Sequence, residues 1–223
     1  MAGLTACELD VAGERVTLRG DGTLFWPRHG LLAVADVHLG KTESYRAHGV
    51  ALPDGVMHDD LVRLAAAVED TGARRLVVIG DLIHDAAGVT GVVRESLLRW
   101  RQTIPCVLDL VLGNHDRRLK VLPEEWQLAI HDPCLRIAPF VFAHERPVDD
   151  TFTWVGHQHP VALLRQGHDC VKVPCFHIGE GRGVLPAFTS FSTGAVIDPA
   201  PGDRIVAAAY GRAYDVTRMV APR

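Results

Sequence analysis

Three apolar runs in the first half of the chain each break off on polar residues: "GLLAVAD", "ARRLVVIGD" and "IPCVLDLVLGNHD". The first, "GLLAVADVHLG", predicts a buried strand at Leu31–Ala35 that ends at Asp36, and the other two predict strands of the same kind. Between the runs, "MHDDLVRLAAAVEDTG" has apolar residues at helical spacing, acids near its start and Gly72 after its end, which are the marks of a helix with its stop signal. "GVVRESLLRWRQ" also reads as a helix. Strand, helix, strand, helix, strand implies parallel pairing through helical crossovers. Upstream, "ELDVAGERVTLRGDGTLFW" alternates apolar and polar residues around glycine turns and predicts two or three antiparallel strands.

The second half has a different pattern. "LRIAPFVFAHE", "FTWVGHQHP", "CVKVPCFHIG" and "AVIDPAPGDRIVAAAYG" read as strands and turns with little helix between them. A second, largely antiparallel sheet facing the first is expected, giving a two-sheet α/β sandwich. Polar residues at strand ends would then gather along one edge, where open α/β sheets place ligands.

Composition bounds this picture. The chain has 223 residues, 48% hydrophobic, enough for one large core, and one domain over residues 1–223 is expected. There is no apolar run of membrane-spanning length and no basic start followed by an apolar stretch, so the expected location is the cytoplasm, with no membrane partner. Five cysteines, an odd number without a CxxC pair, read as reduced and mostly buried thiols rather than a disulfide framework. The net charge of −4 gives no support to nucleic-acid binding by charge alone, although a local basic face is compatible with it. The anomaly is 12 histidines, several in short motifs beside Asp, Asn or Gly.

Five stretches carry that chemistry: "DVHLGK" (Asp36, His38), "GDLIHD" (Asp81), "GNHD" (Asn114, His115), "FAHE" (His144) and "GHQHP" (His157, His159). Each follows an apolar run and offers an oxygen or imidazole ligand at a strand end. Two divalent ions can together hold a phosphate, orient an attacking water and stabilise a departing oxygen, provided one carboxylate bridges them. Mixed Asp, Asn and His ligands suit manganese, iron or zinc better than calcium. Taken alone, Asp36 and His38 could be a helix cap and a surface histidine, and "GNHD" a turn.

The order D-x-H, G-D-x-x-x-D, G-N-H-D, H, G-H-x-H, from Asp36 to His159, resembles the signature of the calcineurin-like metallophosphoesterases. The resemblance implies a metallophosphoesterase sandwich flanked by helices, in four layers, αββα. It implies that Asp36, His38, His159 and Asp81 bind a first metal, that Asp81 bridges to a second, and that Asn114, His144 and His157 complete the second site. Two divalent ions, manganese first among them and iron or zinc as alternatives, are the implied cofactors. His115 resembles the family's catalytic histidine, which protonates the leaving oxygen or steadies the phosphate, with Asp116 orienting it. Lys41, straight after the first motif, and the late "VPCF" and "LPAF" blocks are similar to small bacterial phosphoesterases related to DNA-repair nucleases. That likeness implies DNA as substrate, a repair setting, and a DNA ligase or helicase as partner. Ser190 and Ser192-Thr193 depart from the usual form of the late block, which bears on substrate preference.

Other residues have two readings each. Lys41 and His84 are candidate substrate contacts; a solvated lysine and a surface turn with Asp85 are the plainer readings. Glu43, Tyr45 and Arg46 follow beside the expected cleft. "RRLK" (Arg117 to Lys120) could guide a nucleic-acid backbone or be a solvated turn. His29, His48, His58, His131, His168 and His177 have no motif and read as structural or exposed, and Cys175 as strand packing. The functional expectation is hydrolysis of a DNA phosphodiester. Hydrolysis of small nucleotides or other phosphate esters, and a non-catalytic metal-binding scaffold, are the alternatives.

Overall fold

The computed structural model describes residues 5–52, 55–119, 122–166 and 169–220; Lys120 and His168 lie outside them. The first sheet starts as a meander: β1 (Ala6–Val11), β2 (Glu14–Arg19), β3 (Leu24–Trp26) and β4 (Leu31–Ala35) pair antiparallel in order. From β4 the direction is constant. β5 (Arg75–Ile79), β6 (Val107–Val111) and β7 (Leu128–His131) add on in parallel, giving seven strands. Two helices make the crossovers, α2 (Val56–Thr71) after the short α1 (Lys41–Ala47), and α3 (Gly91–Thr103). Gly72 closes α2 in the left-handed region at φ 60°, and the Thr90 side chain caps α3 by accepting from Val93 N–H, as local chemistry demands at each end.

The strand sequences follow from burial on both faces. Leu32 and Val34 of β4, with Leu76, Val78, Leu108 and Leu110, pack against Leu61, Leu64, Val68, Leu97 and Trp100 of the helices. Leu31, Ala33 and Ala35, with Val77, Ile79 and Val111, face the other way onto Phe140, Phe142, Trp154 and Phe176 of the second sheet. These four aromatic side chains are almost wholly buried, and each such burial stabilises by roughly 1.5–3 kcal/mol.

The second sheet has nine strands: β8 (Cys134–Ile137), β9 (Phe140–Ala143), β10 (Thr153–Val155), β11 (Pro160–Gln166), β12 (Asp169–Gly179), β13 (Arg182–Val184), β14 (Ala195–Val196), β15 (Arg204–Ala209) and β16 (Arg212–Asp215). Hairpins dominate it, but β9, β10 and β13 run parallel at its centre, a mixture the expectation of a largely antiparallel sheet did not include.

The α/β sandwich is as expected. Among the described residues the α-helices all precede β6. Val216 and Val220 of the chain's last turn cover a small cluster with Ala162, Cys175, Ile205 and Ala207. The thiols are less hidden than expected. Cys106 and Cys175 are buried, Cys7 and Cys134 half-buried, and Cys170 exposed. Burial pushes the Cys175 thiol up to about 12, which removes it as a nucleophile.

Candidate metal centre

Every proposed ligand leaves the carboxyl end of a strand. Asp36 and His38 follow β4, Asp81 follows β5 and Asn114 follows β6; His144 follows β9, and His157 and His159 follow β10. Backbone bonds fix these loops. His38 and Leu39 donate to the carbonyls of Asp81 and Leu82, each at 2.8 Å, and His84 donates back to Leu39 at 3.0 Å. On the other flank Phe188 donates to Ala35 at 2.8 Å, tying the loop after β13 to β4.

Five of the eight non-glycine residues with positive φ among the described residues are proposed ligands: Asp36 (56°), His38 (48°), Asp81 (52°), His157 (67°) and His159 (45°). Each such conformation costs on the order of 1 kcal/mol or more and collects where side chains must be aimed. Glycines make the room. A Cβ on Gly113 would fall 2.1 Å from Asp81 Oδ1, and one on Gly80 would fall 2.0 Å from His144 Nδ1, so the Gly of "GNHD" and of "GD" are steric necessities.

The side chains converge in two groups, Asp36 with His38 and His159, and Asp81 with His144 and His157; within each group the ligand atoms lie within 4.8 Å of one another. His159 Nε2 is 3.4 Å from Asp36 Oδ1 and 3.4 Å from His38 Nε2. His144 Nε2 is 3.4 Å from Asp81 Oδ2 and 3.1 Å from Asn114 Oδ1. Asp81 Oδ2 is also 3.8 Å from His38 Nε2, so this carboxylate stands between the two groups.

The residues fit a pair of cations. Asp36 Oδ1 is buried without any hydrogen-bond partner, an acceptor that a cation would satisfy. Burial pushes the His38 imidazole down to about 3 against the pull of Asp81, which keeps it in the neutral form that binds metal. Burial would raise Asp81, but the hydrogen bond and charge of His144 outweigh it and take the carboxyl down to about 2. Burial lowers His144, and Asp81 and Asp36 reverse that, leaving it above its ordinary value. Tautomers are set from behind. His144 Nδ1–H donates to the Ile79 carbonyl at 3.1 Å, so its Nε2 lone pair faces the centre, and His159 Nδ1 pairs with Ser192 Oγ at 2.9 Å, which holds that ring with Nε2 inward.

His115 stands at the rim. Its backbone N–H donates to Asp81 Oδ1 at 3.0 Å, its Nδ1–H donates to the His84 carbonyl, and its Nε2 lies 4.0 Å from Asp81 Oδ2. The expected role of Asp116 is corrected by its partners. Its carboxylate accepts from the backbone N–H of Gly113 (3.0 Å), Ile83 (3.0 Å) and Leu82 (3.3 Å), not from the His115 ring, because it is buried beneath the two loops rather than beside the imidazole. His84 does reach the site, with Nδ1 3.3 Å from His38 Nδ1. Lys41 opens α1, half-buried, with Nζ 5.7 Å over the Phe191 ring.

The plainer readings hold elsewhere. Arg117 pairs with Asp132 at 2.8 Å and with Glu145 at 3.7 Å. His131 bonds Asp109, His177 bonds Asp203, His48 bonds the Ser44 carbonyl, His29 packs on Trp26, and His58 is exposed. Ser192 is the site residue that sequence reasoning missed; it stood out only as a departure in the late block. A cleft of about 420 Å³ opens beside His159 and Ser192, between Arg63, Phe188 and Tyr210. Ser192→Ala is expected to weaken manganese binding about 10–100-fold, measured by calorimetric titration. An unchanged affinity would mean that His159 is oriented by something else.

Fold and ligand groups are those of a metal-dependent hydrolase of phosphate esters and resemble the metallophosphoesterases. Among solved structures, nuclease MPE from Pseudomonas putida superposes with a TM-score of 0.84 at 29% identity, covering 95% of this chain and 100% of its own. YfcE, a phosphoesterase from E. coli, aligns at 16% identity over 79% of this chain and 86% of its own, with a TM-score of 0.35, too loose to add weight. No protein-family model and no curated protein sequence matches the chain.

Proposed function

We propose that the chain, acting as one domain, hydrolyses phosphodiester bonds in DNA at a binuclear metal centre. Asp36, His38, His159 and Asp81 hold one cation, and Asp81, Asn114, His144 and His157 the other. The observation that carries this reading is the Asp81 carboxylate, 3.4 Å from His144 on one side and 3.8 Å from His38 on the other. Manganese, iron and zinc all suit this mixed oxygen and imidazole donor set, and the family resemblance puts manganese first. Two such ions, when bound, would offset the phosphate's charge and lower the pKa of an attacking water.

The chain's own residues do the rest. With Nδ1–H committed to the His84 carbonyl, protonated His115 carries its second proton on Nε2, the atom facing the centre. It can pass that proton to the departing oxygen as a general acid. Lys41 adds positive charge at the rim, and the cleft beside His159 gives room for more than a phosphate. Nucleic acid is supported by the likeness to a nuclease. A repair setting, with a DNA ligase or helicase as partner, is supported by the resemblance of the sequence motifs, and the cytoplasm is the location proposed. No helix among the described residues is long and apolar enough to cross a membrane.

The test is cleavage of bis-(p-nitrophenyl) phosphate, single-stranded DNA and duplex DNA with and without manganese. His115→Ala is expected to lower the rate about 10²–10³-fold while metal binding persists. Turnover of small esters without DNA cleavage would overturn the substrate assignment. Metal binding without any turnover would leave a scaffold.

A further inference from the structure

Three rings run outward from the metal centre in one stack. His115 and His84 have centroids 5.0 Å apart and planes 21° apart. Tyr45 continues the stack on His84, at 5.9 Å and 20°. Phe191 meets Tyr45 edge-on, at 6.1 Å and 75°, and Lys41 Nζ lies over Phe191. Tyr45 remains 40% exposed.

An exposed tyrosine on a helix is ordinary by itself. This one is held in place from two directions. Ser44, its neighbour on α1, donates to Asp85 on the loop that carries His84, and the Asp85 carboxylate also accepts from Gly88 N–H at 2.7 Å. The backbone bond from His84 N–H to Leu39 ties that loop to the segment entering α1. The ring is thus set on the imidazole of His84, which itself stacks on that of the general acid, by two independent tethers, and a cation and a second aromatic ring stand beside it. Aromatic faces interleaved with positive charge are how proteins bind single strands, since every base has a π-face and every linkage a phosphate.

We propose that Tyr45 is the stacking platform for the nucleobase on the leaving side of the scissile phosphate, so that the site takes an unpaired nucleotide there. The proposal rests on the nuclease reading above. The leaving side follows from His115: the departing oxygen must lie at its Nε2, and the nucleotide attached to that oxygen meets the rings that continue outward from it. The unpaired state follows from the stack. A base within a duplex has both faces covered by its neighbours, and can lie on Tyr45 only after leaving them. Lys41, beside Phe191, suits the next phosphate along the strand.

The test couples protein to substrate. A single-stranded oligonucleotide is cut with manganese, the cut is mapped, and the base is then removed at each flanking position in turn. Tyr45→Ala is expected to lower kcat/KM on the intact strand about 10–100-fold, and Tyr45→Phe to restore most of it. Removing the leaving-side base is expected to cost the unaltered protein the same factor and to cost Tyr45→Ala nothing more. Equal rates of the two proteins on the base-free strand would also show that the variant is folded. Losses that multiply independently, a loss tied to a base on the other side, or a Tyr45→Ala variant within twofold of the unaltered protein would each overturn the proposal while leaving the nuclease reading in place. If the unaltered protein cuts no DNA, the nuclease reading falls and this proposal falls with it.

Discussion

Replacing Asp81 with asparagine is expected to lower kcat/KM on a phosphodiester by about 10⁴-fold, the equivalent of roughly 5.5 kcal/mol in the transition state. Asp81 Oδ1 accepts from His115 N–H at 3.0 Å, while Oδ2 faces His144 and His38 at 3.4 and 3.8 Å. An amide can keep the first contact through its carbonyl oxygen. It then turns an NH₂ group toward the two imidazoles, where a bridging oxygen is needed, and an amide nitrogen is no ligand for a cation. In the proposed binuclear centre both ions would lose a donor at once, and each would supply several kcal/mol of charge stabilisation to phosphoryl chemistry.

The same carboxylate supports the metal-free fold. Its folded pKa of about 2 lies below the usual value near 3.9 in an unfolded chain. Its contribution is therefore present above the unfolded pKa and is lost as the pH falls through about 2. The metal-free variant should melt at a lower temperature than the unaltered protein near neutral pH, so the diagnostic is the further rise in Tm that manganese brings. That rise should be large for the unaltered protein and small for Asp81→Asn, and metal analysis should show fewer ions per chain. A variant that keeps two ions and runs within tenfold of the unaltered rate would remove Asp81 from the bridging position.

Some of this site was legible because its residues are strictly ordered along the chain. Parallel strands buried on both faces appear as continuous apolar runs, so β4, β5 and β6 could be read directly, and with them the strand ends that carry Asp36, Asp81 and Asn114. β7 could not. Its Leu128–His131 sequence is half exposed at the sheet's far edge, so it has neither the run nor a clean alternation. The four-layer expectation came from likeness, while the second half of the chain showed strands alone. Supporting contacts were the least legible, because they join residues remote in sequence. Ser192 reaches His159 across 33 positions and Asp116 reaches Ile83 across 33, and neither has a spacing that sequence could flag. The same holds for Arg63, which bonds the Phe188 carbonyl at 2.9 Å, fastening α2 to the loop that holds Ser192.

Removing the Asp116 carboxylate should show that its work is done on the backbone. It is buried, and Asp116→Ala would leave three buried N–H groups, of Gly113, Ile83 and Leu82, without an acceptor. Each orphaned donor costs about 1–3 kcal/mol, so the expected loss is roughly 3–9 kcal/mol, a large share of the about 5–15 kcal/mol that holds a domain together. Asp116→Asn should cost less. Oδ2 serves Leu82 and Gly113 while Oδ1 serves Ile83, so an amide can keep one side and must set its NH₂ against the other. Urea unfolding of the metal-free proteins gives the ranking, and kinetics on a phosphodiester well below the transition give the second readout. Because the clamp joins the loop after Asp81 to the loop of Asn114 and His115, both variants should also bind manganese more weakly, which His115→Ala should not. Had Asp116 acted by orienting the imidazole, Asp116→Ala would copy His115→Ala in activity and metal affinity at little cost in stability. A buried carboxylate surrounded by backbone donors predicts the reverse order of effects: stability first, metal affinity next, and the proton transfer at His115 only through the loss of the loop that carries it.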